Sequence, residues 1–174
     1  MTQKSTVRAG HFDQTVWVKI DGRGTFQVSA GLKEYVKRMV IRGFRHIVID
    51  LEACELMDST FMGTLAGIAL RLREMGSGEL TVLNANERNT SLLENLGLDH
   101  IFSFELPENA SRPDIVETQA KAIDPPTVFD GDDARETMLS AHQTLADLSP
   151  ANNAKFRDVL ELLKQEPAGE PSES

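Results

Sequence analysis

The sequence predicts an α/β domain: a mixed, mostly parallel sheet of about four to five strands with helices packed on it, followed by a helical extension. Three observations predict this. Short apolar runs with strand character alternate with amphipathic stretches between residues 15 and 106. Parallel pairing needs a long crossover between strands, and such alternation supplies it. Glycines punctuate the ends of the helical stretches at Gly43, Gly76, Gly78 and Gly97. Finally, charge divides the chain in two. Residues 1–106 carry 12 Lys+Arg against 13 Asp+Glu, and residues 107–174 carry 6 against 14. A near-neutral folded domain therefore precedes an acidic appendage.

The elements follow in order. Residues 1–14 form an N-terminal segment without strong periodicity. In Thr15–Asp21, Val16, Val18 and Ile20 alternate with Trp17 and Lys19, the period of a strand with one buried face. Gly22-Arg23-Gly24 is expected to break it. Ser29 is a candidate N-cap for a helix over about 30–42, with Leu32, Val36, Met39 and Val40 on one stripe. His46–Leu51 is an almost continuous apolar run, which predicts a central strand covered on both faces. A loop, Glu52–Asp58, leads to a second helix over about 60–75 with Leu65, Ile68, Ala69 and Leu72 inward. Leu80–Asn84 is the next strand. A third helix, about 87–96, carries Leu92, Leu93 and Leu96, and Gly97 stands where a left-handed C-terminal cap belongs. Ile101–Phe104 is a last short strand, which closes a domain of residues 15–106.

Residues 107–131, with Pro107, Pro113, Pro125 and Pro126, read as a Pro-rich acidic linker. Residues 132–165 read as a helical hairpin. Met138, Ala141, His142 and Leu145 share one face of its first helix. Ser149 caps the second and Pro150 takes the favoured first position, with Phe156, Val159, Leu160 and Leu163 as the stripe. Two helices this short are marginal alone, so they should pack on each other, on the main domain or on a second chain. Residues 166–174, EPAGEPSES, read as a disordered tail.

Composition narrows the function. The chain is 40% hydrophobic and 26% charged, with a net charge of −9. Acidity argues against nucleic-acid binding, which needs clustered Lys and Arg. No apolar run approaches the roughly 20 residues of a membrane helix, and the first residues lack a secretory pattern. The single Cys54 excludes an internal disulfide. These features lead us to expect a cytoplasmic protein without membrane insertion. His11, His46, His100 and His142 lack ligand spacing, so neither metal nor cofactor is expected. Cys54 reads as a small loop or core residue, with a redox-sensitive thiol as the alternative. Asp50 and Asp58 read as a cap and a loop acid rather than an acid–base pair. No nucleophile–base pair can be assembled from the sequence, and no enzymatic activity is expected.

The junction Met57-Asp58-Ser59-Thr60-Phe61-Met62-Gly63 is the most informative segment. It lies between the carboxyl end of a buried strand and a helix start, a common functional location. Asp58 or Ser59 could simply cap the helix. Alternatively, a phosphoryl group on Ser59 would be tolerated at a helix N-terminus. It would add about −1.5 to −2 charges beside Asp58 and repel a docked protein.

The stretch Thr15–Glu105 resembles the STAS domain of the anti-sigma-factor antagonist family. The resemblance rests on HIVIDL at 46–51, its spacing to MDST at 57–60, Gly63 four residues beyond Ser59, and NLGLDHIFSF at 95–104. It implies a bacterial STAS-type fold with Ser59 in the position of the family's phosphorylation site. It also implies an anti-sigma-factor partner that is a serine kinase of the GHKL type. Phosphorylation would switch the antagonist off, and a PP2C-type phosphatase would restore it. The partner-binding surface would comprise Arg23, Thr25, Asp58, Ser59, Thr60, Phe61 and Met62. The sequence departs from the family pattern twice. Gly22-Arg23-Gly24-Thr25 stands where the family often has Gly-Glu-Leu-Asp, and Phe61 replaces a glycine. Phe61 would either narrow kinase access or offer a contact to a different partner. A second reading follows from these departures: an unphosphorylated STAS scaffold, as in a lipid transporter or a stressosome-like assembly. The C-terminal helices could also serve homodimerisation.

Overall fold

The computed structural model describes residues 5–105, 121–122 and 131–165. Its sheet has six strands: β1 (Thr6–Phe12), β2 (Thr15–Gly24), β3 (His46–Asp50), β4 (Cys54–Met57), β5 (Glu79–Leu83) and β6 (Lys121–Ala122). The spatial order is β5-β3-β2-β1-β6, and β4 pairs with the far half of β2. Pairing is antiparallel for β1 with β2 and with β6, and parallel for β2–β3, β2–β4 and β3–β5. The mixed, mostly parallel sheet is thus as expected. The helices are α1 (Phe26–Ile41), α2 (Ser59–Glu74), α3 (Glu87–Asn95), α4 (Gly131–Asp147) and α5 (Pro150–Gln165).

Alternation along the strands builds the core. Val16, Val18, Ile20, Ile47, Ile49, Leu80 and Val82 face the helices and join one apolar cluster with Leu32, Val36, Leu65 and Leu72. Trp17, Val48 and Thr81 are neighbours across β2, β3 and β5. They are buried too, and by alternation they lie on the opposite face. The central strand is therefore covered on both sides, as its continuous apolar run implies.

Several boundaries differ from expectation, each for a physical reason. Thr6–Phe12 forms a strand between β2 and β6. A two-residue turn closes it onto β2, with Asp13 at φ 53° and Phe12 opposite Thr15. Gly22–Gly24 does not end β2. The register shifts between Gly22 and Arg23, and β4, from the expected loop, takes over where β3 stops. Ser29 is not a cap. It lies inside α1, fully buried, and donates to the Thr25 carbonyl at 2.8 Å. The helix starts earlier because Asp58, distant in sequence, accepts the Phe26 amide at 2.9 Å. Ile101–Phe104 is reduced to one bridge, Ser103 to Thr81, after a 3-10 turn at Leu98–His100. Gly97 does adopt the left-handed conformation, at φ 76°.

The hairpin α4–α5 docks on the domain. Leu145, Ala146, Phe156 and Leu160 enter the same apolar cluster as the sheet. The Ser149 hydroxyl caps α5 by accepting the Asn152 amide at 3.0 Å. Asn152, almost fully buried, donates its side-chain N–H to the Leu96 carbonyl at 2.9 Å, tying α5 to the end of α3. Most of residues 107–131 and all of 166–174 lie outside the described residues.

Candidate functional site

The site is the junction where β4 turns into α2. Asp58 is the N-cap of α2 in extended conformation, and its Oδ1 accepts the Phe61 amide at 2.8 Å. Its Oδ2 accepts the Phe26 amide at the start of α1. One carboxylate thus satisfies free amides at the N-termini of two helices, where negative charge is stabilised. The Asp58 amide donates to the Gly24 carbonyl at 2.9 Å, which holds β2, α1 and α2 together at this point.

Ser59 is the first residue of α2 and is half-buried. Its hydroxyl lies 2.8 Å from His142 Nε2 on α4. The other ring nitrogen, Nδ1, lies 2.6 Å from the Met138 carbonyl. A carbonyl only accepts, so Nδ1 carries the proton. In the neutral imidazole Nε2 is then the acceptor, and the Ser59 hydroxyl donates to it. His142 is 6% exposed, and its ring packs edge-on against Phe156, with centroids 5.5 Å apart. One turn beyond Ser59, a Cβ added to Gly63 would collide with the Ala141 carbonyl. Gly63 is therefore what lets α4 lie against α2.

The tertiary structure thus assembles a serine–histidine pair that sequence reading did not. The signal present was His142, a polar residue on an otherwise apolar helix stripe. A backbone carbonyl rather than a carboxylate orients the ring. The Phe61 amide is held by Asp58. A cavity of about 420 Å³ beside α4 is lined by Gly63, Thr64, Gly67 and Ala141, but by neither Ser59 nor His142.

The other expected site residues divide. Arg23 is exposed and Thr25 half-buried at the end of β2. Thr60 and Met62 are buried, and Phe61 is fully buried. Phe61 is therefore a core residue, not a surface contact: its ring lies against Gly24, where an added Cβ would come within 2.7 Å of it. Asp50 is buried and accepts the Glu52 amide at 3.0 Å and the Asn84 side-chain N–H at 3.1 Å. Both aspartates thus accept hydrogen bonds that hold local structure. Cys54 is buried and its thiol donates to the Leu56 carbonyl at 3.3 Å. Burial pushes its pKa up, against the lowering effect of hydrogen bonds around it, so it is not a poised thiolate. Among the described residues no cluster of His, Cys, Asp or Glu could hold a metal ion. Nor is any described helix long and apolar enough to cross a membrane.

Comparison with known proteins gives the family. No curated protein matches the sequence. Among solved structures, the chain is similar to a Thermotoga maritima protein described as a candidate anti-sigma factor antagonist. The TM-score is 0.52 and the identity 20%, over 57% of this chain and 86% of that one. The NMR structure of that protein, TM1081, gives a TM-score of 0.50 at 21% identity, over 54% and 75%. The unphosphorylated anti-sigma factor antagonist SpoIIAA gives 0.48 at 16% identity, over 59% and 90%. The two likenesses to the Thermotoga maritima protein, at TM-scores of 0.52 and 0.50, show the fold. The sequence itself matches the family described as "STAS domain" over residues 6–111, which is more than half the chain, and the protein belongs to the STAS domain family.

Proposed function

We propose that this protein is a cytoplasmic regulator of the anti-sigma-factor antagonist kind, not an enzyme, that binds a serine kinase and is switched off by phosphorylation of Ser59. One observation carries the reading: Ser59, a half-buried residue, stands at the first position of α2, beside a carboxylate whose oxygens are already engaged. The kinase would be an anti-sigma factor of GHKL type. In the reaction, Ser59 Oγ attacks the γ-phosphorus of ATP. The Oγ–P bond forms as the bond to ADP breaks, and the hydroxyl proton passes to the kinase's base. The product adds about −1.5 to −2 charges next to Asp58, whose oxygens cannot be redirected without uncapping two helices. A partner resting on the neutral junction and on Arg23 and Thr25 is then repelled. A PP2C-type phosphatase would restore the hydroxyl by hydrolysis, releasing inorganic phosphate.

The test is a binding comparison with an ATP-binding partner co-purified from source cells. Ser59→Asp should weaken binding at least tenfold, while Ser59→Ala should bind and take up no phosphate. Equal binding by Ser59→Asp and the parent would remove the switch.

A second reading is supported by the hydrogen bond from Ser59 to His142. It holds that Ser59 is a permanent structural contact and the protein a scaffold subunit, as in a lipid transporter or stressosome-like assembly. Intact mass of the native protein separates the two: a phosphorylated fraction mapped to Ser59 favours the switch, and none under any growth condition favours the scaffold.

A further inference from the structure

We infer that the hairpin α4–α5 is an intramolecular lid on Ser59, so that lid docking excludes both modification of this residue and a partner that must reach it. The inference concerns regulation of the site read above as the switch, and it builds on that reading.

The geometry is exclusive. Ser59 Oγ and His142 Nε2 are 2.8 Å apart with one proton between them. No phosphorus with its three further oxygens fits in that space. An attacking hydroxyl also needs an open line to the γ-phosphorus, and the buried imidazole occupies the side to which this hydroxyl points. Along the same side of α2, the Ala141 backbone lies so close to Gly63 that not even a methyl group fits between them. A kinase loop or a partner helix cannot enter there while α4 is in place.

The lid is also built to leave without unfolding the domain. Among the described residues, the hairpin gives the apolar cluster only Leu145, Ala146, Phe156 and Leu160 as buried members. The other buried members come from Val7 to Phe102, so most of the cluster is built by the sheet, α1, α2 and α3. Two buried polar side chains, His142 and Asn152, make the polar contacts to Ser59 and the Leu96 carbonyl. On opening, all four groups can be hydrated, whereas docking demands that all four meet in register. The hairpin is therefore either seated or off. Phosphate on Ser59 would hold it off until removed.

The experiment uses the full chain with Ser59→Cys and reads alkylation at position 59 by peptide mass, with buried Cys54 as the internal control for unfolding. Amide hydrogen exchange of residues 134–163 reports the lid in the same samples. Gly63→Ala is the wedge, since its methyl meets the Ala141 backbone, and Gly67→Ala is the control, with only Thr144 Oγ1 near, at 4.0 Å. His142→Ala is a second opener that leaves α2 unaltered. Labelling should be slow in the otherwise unchanged chain and with Gly67→Ala. It should rise at least tenfold with Gly63→Ala and with His142→Ala, in step with hairpin exchange, while Cys54 and the β3 amides stay protected. Fast labelling while the hairpin remains protected would overturn the lid, as would unchanged labelling after the hairpin has opened. Absence of phosphate on Ser59 in cells would end the switch reading and leave this result standing.

Discussion

The Asp58 carboxylate accepts the Phe26 amide at 2.9 Å, across 32 residues of sequence. Its other oxygen caps α2 at Phe61. Two helix starts therefore depend on one side chain. Each cap is worth about 1 kcal/mol, so Asp58→Ala should lower unfolding free energy by about 2 kcal/mol. Asp58→Asn, with one acceptor oxygen, should lose about half of that. Urea unfolding followed by the fluorescence of Trp17, the sole tryptophan, measures both. An alanine variant within error of the parent would refute the double cap.

Ser59→Ala, the obvious unphosphorylatable variant, should not be structurally silent. It leaves the buried His142 Nε2 without its donor, a loss of about 1–3 kcal/mol. Hydrogen exchange in α4 should accelerate while β3 and β5 stay unchanged. If exchange in α4 is unaltered, the Ser59–His142 bond contributes nothing to docking.

The two glycines of α2 should respond in opposite directions. Gly67→Ala meets only Thr144 Oγ1, at 4.0 Å, and alanine gains about 0.5–1 kcal/mol over glycine in a helix. Gly63→Ala has the same propensity gain but drives a methyl into the Ala141 backbone, so its net effect should be destabilising. Melting temperatures that rise for both would contradict the close approach of α2 and α4.

Leu145, on α4 of the hairpin, is fully buried in the shared core. Leu145→Ala should cost about 2–5 kcal/mol through lost burial and the cavity left behind. The effect should appear first as faster exchange in residues 134–163. Faster exchange in the sheet before the hairpin would show that the hairpin is not the least stable unit.

Stability should fall at alkaline pH. Burial raises the pKa of the Cys54 thiol and, more than nearby Arg42 and Arg38 lower it, that of the Tyr35 phenol. For groups raised in the folded state, stability is fully present below the unfolded value and is lost as pH rises through the folded value. The decline should therefore begin near the ordinary thiol pKa of about 8.5 and continue past the phenol value of about 10. Cys54→Ala should remove the earlier part. Urea midpoints across this range test it, and a flat profile for the parent would refute it.

Much of the fold was legible because periodicity reports burial directly. Val16, Val18 and Ile20 alternate because β2 buries that face, and Leu32, Val36 and Met39 share a stripe because α1 does. The candidate site was legible only in position. Asp58-Ser59 stands at a helix start in any reading, but Phe61 looks like a surface anomaly in the sequence and is a core residue in the structure. A residue's depth depends on what packs over it, and here that includes Gly24, which is 37 positions away in the sequence.

The sequence by itself determined the alternation of strands and helices, the strand buried on both faces, the left-handed end of α3 at Gly97 and the place of Ser59 at a helix start. All of these arise from local backbone preference and side-chain spacing, which a linear chain carries. Only the tertiary structure decided that Asp58 caps two helices, that α4 closes on Gly63, and that the Ser59 hydroxyl donates to His142, 83 residues away. Hydrogen bonds between distant residues depend on angles and separations of about 3 Å, and those are fixed only when helices pack to contact across the core.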